Sequence, residues 1–323
     1  MLAISRRKFL AGVTAAGGAA LVGAVPGAKA LLAEPLYPPM DLAYFDTKIT
    51  PAVADLRIGC AAITWGGKDQ QAIEDIAAVG YKGIQLRSNC IDEFGSSQKV
   101  RDLLAAHKLQ FVALSSGDLD IEAADPKAAI AHHVANCRFL HDAGGMYLQI
   151  IDRRPKHAVT PADYRRLGQM LTELGKQTAD MGIPLGYHNH MGAMGQTPEE
   201  VDLVMDAADP RYVKLELDIA HYFEGGGDPA HAIRHYRDRL LFLHLKDAKA
   251  TTTTAAAGAK RDYEFAELGR GDIDLVAVLK ALDEIKFRGW GIVELDGPTD
   301  GNRTPKQSAE ISKEYLLNAG LAL

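Results

Sequence analysis

Cysteine is scarce in this chain: Cys60, Cys90 and Cys137 are the only three among 323 residues. The number is odd and the spacing is not that of metal-binding pairs, so a disulfide framework or a cysteine zinc site is not expected. Buried free thiols are, with a Cys60–Cys90 pair left open because both end adjacent expected strands. Basic clusters are also missing beyond the N-terminal segment, and 36 Lys and Arg against 42 Asp and Glu leave a formal charge of −6. That balance argues against a nucleic-acid groove. No G-x-G-x-x-G turn follows the first expected strand, where the chain reads Ile63-Thr-Trp65-Gly66-Gly67. An open dinucleotide-binding sheet therefore lacks its usual mark. Otherwise the composition, 47% hydrophobic and 24% charged, is that of an ordinary soluble protein.

The first thirty residues read as a targeting segment. Ser5-Arg6-Arg7-Lys8-Phe9-Leu10 is a twin-arginine pattern, an Ala/Gly-rich run covers Ala11 to Ala24, and Ala28-Lys29-Ala30 fits a cleavage site. The run is weakly apolar and soon meets Pro26, so it makes a poor membrane span. Residues 1–30 are thus expected to be a twin-arginine signal peptide, read by the export machinery and placing the mature protein in the periplasm. Its loss removes Arg6, Arg7, Lys8 and Lys29 and takes the charge from −6 to −10. Residues 31–55, with Glu34-Pro-Leu-Tyr-Pro-Pro39, read as a linker or arm.

From residue 56 to 323 one catalytic domain is expected. Short apolar strands alternate with amphipathic helices: Arg57–Ile63, Gly83–Arg87, Gln110–Leu114, Met146–Ile151, Pro184–Tyr187, Val213–Leu217, Leu240–Leu245 and Gly291–Leu295. These strands are apolar throughout, as strands covered on both faces should be. Helical runs lie between them, with proline-started turns at Thr160-Pro161 and Thr197-Pro198. Strict alternation of eight units predicts an α/β fold, a closed (β/α)8 TIM barrel. The segment Ala248–Arg270, which includes Thr251-Thr-Thr-Thr254, reads either as a solvated insertion or as a lid over the active face.

Four of these strands end in metal-ligand residue types: His188, Asp218, His244 and Glu294. Parallel strands followed by helices bring such ends to one face. Two imidazoles and two carboxylates there suit one divalent cation, Mn, Co, Zn or Fe, better than calcium. His190 lies two residues beyond His188, on the same side of an extended segment. One of the two is then a ligand, for which His188 is favoured, and the other faces substrate. His221, Lys246, Arg87 and Trp65 are expected around the same mouth, where an aromatic face and several donors suit a polyhydroxylated ligand. Each also has an ordinary structural explanation: a helix cap for Asp218, a core position for His244, an ion pair for Glu294.

These residues resemble the xylose isomerase-like TIM-barrel superfamily, which holds sugar phosphate isomerases/epimerases, ketose 3-epimerases, hydroxypyruvate isomerase, inosose dehydratase and endonuclease IV. The resemblance rests on Gly186-Tyr-His-Asn-His190, Leu217-Asp-Ile-Ala-His221, His244-Leu-Lys-Asp247, Leu268-Gly-Arg-Gly-Asp-Ile-Asp274 and Trp290-Gly-Ile-Val-Glu-Leu-Asp296. It implies a cation held by four residues from strands five to eight, three of them matching Asp218, His244 and Glu294. It also implies a substrate-contacting histidine at His221. Members often form dimers or tetramers, so a homo-oligomer is the corresponding expectation.

At strand five the chain departs from those enzymes, carrying His188 where they carry glutamate. Two-base epimerisation needs a carboxylate on each face of the reacting carbon, and here only Glu294 remains. The leading expectation is a metal-dependent isomerase or epimerase of a sugar or keto-polyol, with Glu294, His188 and His221 as catalytic residues and His190, Lys246, Arg87 and Trp65 contacting substrate. The alternatives are a lyase or hydratase of the inosose dehydratase kind and a non-catalytic sugar-binding barrel. A phosphodiesterase is disfavoured because strands three and four end in Leu114-Ser-Ser and Ile151-Asp152, without histidine.

Overall fold

Short apolar runs bounded by turn residues become eight parallel strands in the computed structural model, which describes residues 55–251, 262–297 and 303–321. They are β1 (Leu56–Ala61), β2 (Gly83–Arg87), β3 (Gln110–Asp120), β4 (Tyr147–Arg153), β5 (Leu185–His188), β6 (Val213–Asp218) and β7 (Leu240–Leu245), then, after a hairpin of β8 (Asp247–Ala250) and β9 (Tyr263–Ala266), β10 (Gly289–Val293). The strands close in the order β1-β10-β7-β6-β5-β4-β3-β2, a (β/α)8 barrel. The expected signal peptide and all of the arm but Asp55 lie outside the described residues.

Helix starts follow local chemistry. Thr197 and Thr304 each accept from the backbone three residues on, while Glu200 and Gln307 reach back to the cap N–H, and proline follows each threonine. At Thr160 the Asp163 carboxylate accepts from the cap N–H at 2.8 Å. A buried apolar cluster in the barrel comprises Ala61, Val112, Ala113, Phe242, Trp290 and Ile292. Gly83 is required beside Trp290, because a Cβ there would lie 2.5 Å from the indole. All three cysteines are free and buried, so the Cys60–Cys90 pairing left open is absent.

Several boundaries differ from expectation. β1 stops at Ala61 and a 3-10 turn runs over Ala62–Trp65, so Trp65 does not end a strand. β3 continues to Asp120, with a register shift against β4 between Ser115 and Asp118 that absorbs the extra length. The last barrel strand closes at Val293, leaving Glu294 just beyond it. The segment read as an insertion or lid has ordered stems, β8 and β9, paired antiparallel; residues 252–261 between them lie outside the described residues.

One buried histidine sits apart from the barrel mouth. His133 is 3% exposed, with Nδ1 2.8 Å from Ser116 Oγ, and Asn136 donates to the same hydroxyl. Burial lowers its pKa from 6.5 to about 4, with His132 adding to the effect. A folded-state value below the unfolded one stabilises the fold above the unfolded pKa. That stability is lost as pH falls through the window from 6.5 to 4. The loss is expected to be on the order of 2–3 kcal/mol. Denaturant unfolding at pH 7 and pH 4.5 should show it, and His133→Asn should flatten this part of the profile.

Candidate metal centre and active site

Register decides which strand ends meet. Asp218 on β6 is level with His244 on β7, and His188 on β5 is level with Glu216, two residues below Asp218. Glu294 lies one step past the Val293↔Leu245 pair, and its N–H donates to Leu245. Asp218, His244 and Glu294 therefore face one another, with one potential ligand atom from each inside a 4.8 Å group. His188 stands beside them, its ring 4.8 Å from that of His244 and 5.5 Å from that of His190. It groups with Glu216 and His244 on one side and with His190 and His221 on the other.

The second residue of the His-Asn-His run fixes this end of the barrel. Asn189 accepts from the Asp218 N–H at 2.9 Å and donates to the Asp218 carbonyl at 3.1 Å, tying β5 to β6. Asp218 Oδ1 then caps the helix Ile219–Glu224 by accepting from the N–H groups of Ala220 and His221. Its Oδ2 is turned the other way, 3.3 Å from Lys246 Nζ and 3.4 Å from His244 Nδ1. The capping role weighed against metal binding is thus real for one oxygen and leaves the other available.

His244 is clamped on both edges. Its Nε2 lies 2.8 Å from Gln85 Oε1 and 2.6 Å from Glu216 Oε1. With the ring proton on Nε2, the N–H points at Gln85 and leaves Glu216 as an off-axis charge contact. Nδ1 faces Asp218 Oδ2 and Glu294 Oε2, the latter at 3.3 Å. Burial pushes the His244 pKa down, but Glu216 and Glu294 outweigh it and hold it well above the ordinary value. Burial also drives Glu216 up to about 7, against the pull of His244. For Asp218 and Glu294 burial is overcome, by Lys246 and His221 in the first case and by His244 and Lys246 in the second. Both stay well below the usual carboxylate range.

Lys246 is fully buried, 2.7 Å from Glu294 and 3.3 Å from both Asp218 and Asp296, with its ammonium 4.3 Å from the centre of the Phe265 ring. Phe265 lies on β9, so the hairpin forms part of the wall around Lys246 and His221. The hairpin base is organised by Asp247, whose carboxylate accepts from the N–H groups of Ala248, Gly269, Gly271 and Ile273. At Gly271 a Cβ would sit 2.2 Å from that carboxylate, which explains the glycine in Gly269-Arg-Gly271.

A cavity of about 110 Å³ opens over this cluster, lined by Gln85, Arg87, Ser115, Gln149, His188, His190, Glu294 and Asp296 among others. Of the expected substrate contacts, Arg87 and His190 line it, as do His188 and Glu294 of the expected catalytic residues. His221 is buried behind, its ring 3.9 Å from that of His190, and Lys246 lies beneath. Trp65 does neither: its indole N–H donates to Asp75 at 2.9 Å and the side chain packs in the core, because the 3-10 turn carries it away from the strand end. Glu216, Gln85, Gln149 and Asp296 were not expected. Each of the first three is a polar residue inside an apolar strand, in Leu215-Glu-Leu217, Ile84-Gln-Leu86 and Leu148-Gln-Ile150. A buried polar group needs a partner, and that was the signal available.

The donor set fits a divalent cation. His188 Nδ1, Asp218 Oδ2 and His244 Nδ1 are buried and make no hydrogen bond among the described residues. Unpartnered buried polar atoms are rare and call for a ligand. Imidazole and carboxylate are borderline-to-hard donors that a cation such as zinc or manganese accepts together.

The family model for the xylose isomerase-like TIM barrel matches residues 73–317. The chain belongs to this family. It is 26% identical over 296 residues to the inosose dehydratase of Geobacillus kaustophilus, covering 82% of this chain and 94% of that protein. To the rhizopine catabolism protein MocC of Rhizobium meliloti it is 26% identical over 306 residues, covering 84% and 90%. Among solved structures, IOLI protein with a bound zinc atom superposes with a TM-score of 0.67 at 18% identity, covering 82% of this chain and 98% of that one. A D-tagatose 3-epimerase-like protein superposes with a TM-score of 0.68 at 17% identity, covering 82% and 97%. At these identities the two structures show the shared fold.

Proposed function

We propose that this family member is a divalent-metal-dependent enzyme that removes a proton next to the carbonyl of a keto-polyol and expels water, a dehydratase. The observation that carries the reading is the orphaned pair Asp218 Oδ2 and His244 Nδ1, grouped with Glu294 under a polar cavity. The curated relatives named inosose dehydratase, matched over nearly their whole length, support elimination as the outcome. A bound cation supplies polarisation of the substrate carbonyl. Mn, Co, Zn and Fe all suit the ligands.

Glu294, at the cavity wall, takes the α-proton and is then placed to return it to the departing hydroxyl. A C–H and a C–O bond break, a C=C bond forms, and water leaves. Lys246, held against Glu294, favours negative charge developing on the substrate oxygen. His190 lines the cavity with Nδ1 2.7 Å from the Met191 carbonyl, a contact that places the proton there and leaves the Nε2 lone pair to accept from a substrate hydroxyl. The same opening step serves an isomerase or epimerase, the second reading. It is favoured by His190 Nε2, which offers a base besides Glu294. The twin-arginine pattern supports export, and phosphorylated sugars are scarce outside the cytoplasm, so an unphosphorylated substrate is favoured.

The test is to load the protein with Mn, Co or Zn and incubate it with inosose and a panel of keto sugars in D₂O. Elimination gives an α,β-unsaturated product with ultraviolet absorbance. Deuterium in a recovered isomer without that absorbance would select the second reading, and product analysis covers hydride-shift isomerisation. Neither signal in any substrate would sink both. His188→Ala is expected to weaken cation affinity about 10–100-fold without abolishing it, because the other three ligands stay assembled. Titration with a competing chelator measures this.

A further inference from the structure

We infer that Gln149 is a substrate-binding residue whose amide N–H₂ is fixed as a hydrogen-bond donor to a neutral oxygen of the ligand, and that the orientation is set by His244 through Gln85. The inference rests on the metal reading of His244. If Nδ1 is the ligand atom, Nε2 must carry the ring proton. That N–H is 2.8 Å from Gln85 Oε1, so the Gln85 oxygen is the end that faces His244. Its amide nitrogen then donates to Gln149 Oε1, also at 2.8 Å. Gln149 has one amide end left, the N–H₂ group, and that end has no hydrogen-bond partner among the described residues while the side chain lines the cavity. An amide in isolation presents either end; here the proton at one edge of a single imidazole settles both.

The neighbourhood agrees with this polarity. Ser115 is level with Gln149 on one side and with Arg87 on the other, and all three line the cavity. Arg87, Ser115 and Gln149, side by side on β2, β3 and β4, thus form a wall of donors facing the acidic metal cluster. Such a wall suits a ligand that presents oxygen acceptors, hydroxyl or carbonyl, on the side away from the cation. It gives the barrel half that holds no metal ligand a defined task in recognition.

Two substitutions separate this role from support of the fold. In Gln149→Glu a carboxylate oxygen still accepts from Gln85, so the His244 edge is undisturbed while the donor is lost and a charge is added. Gln149→Met removes the donor without adding charge. Both are expected to raise KM for inosose at least tenfold, with Co²⁺ uptake, followed by its visible absorption, unchanged. Gln85→Glu places an acceptor opposite Gln149 Oε1 and turns the Gln149 amide over. It should therefore raise KM similarly, although residue 149 is untouched. Wild-type Co²⁺ uptake together with a KM for Gln149→Glu and Gln149→Met indistinguishable from wild type would overturn this inference alone. Absence of Co²⁺ uptake by the wild type would remove the fixed proton on His244, and overturn the metal reading and this inference together.

Discussion

Glu294→Gln is expected to end stoichiometric cation uptake and to lower kcat/KM by about 10³-fold or more. The substitution keeps the shape of the side chain and removes one charge from a site whose affinity rests on charge. Three largely buried carboxylates, Glu216, Asp218 and Glu294, face His244 and Lys246 at the floor and wall of the cavity. Without Glu294, Asp218 remains, among the described residues, as the only carboxylate that faces His244 Nδ1. The proton acceptor at the cavity wall is lost as well. Folding should survive, because Lys246 keeps Asp218 and Asp296 at 3.3 Å and the loss of one buried carboxylate relieves repulsion of the others. Metal analysis, turnover and unfolding in chelator on one preparation test all three. A variant with full metal content and activity within tenfold of wild type would place ligand and base elsewhere.

The barrel was legible because both of its signals are local. An apolar run of four to seven residues and a proline-started helix each announce themselves without knowledge of the rest of the chain, and strict alternation leaves few topologies. Asp218, His244 and Glu294 were legible for the same reason, each being a polar residue at the end of an apolar run. Register was not legible. That His188 lies level with Glu216 rather than with Asp218 follows from the stagger of closed strands, which the length of a loop does not reveal. Trp65 went astray because β1 ends earlier than its apolar run, at a turn that keeps Ala62 and Trp65 buried without extending the strand. The amide pair Gln85 and Gln149 needed contacts between β2, β4 and β7, far apart in sequence and joined only when the barrel closes.

Lys246→Met should move affinity and rate in opposite directions. The ammonium is fully buried and balanced by three carboxylates, Asp218, Glu294 and Asp296, which raise its pKa against the burial that would lower it. Removing one member of such a group leaves the others unpaired, and in chelator the variant should lose about 3–5 kcal/mol of stability. A divalent cation placed among the same carboxylates takes over part of the neutralisation. Added metal should therefore restore much of that loss and bind at least as tightly as to wild type. The rate should not recover, because the cation replaces the charge that Lys246 presents to Asp218 and Glu294 but not the positive charge it holds beneath the substrate oxygen. A fall in kcat of about 10²–10³-fold with cation affinity undiminished is the expected pattern. If kcat returns with metal, Lys246 is a neutraliser of the carboxylates alone, and the developing charge on the substrate is met by the cation without it. If cation affinity falls with kcat, the ammonium serves to hold Asp218 and Glu294 in place as ligands. Calorimetric titration with Mn²⁺, run beside turnover and thermal unfolding, separates the three cases.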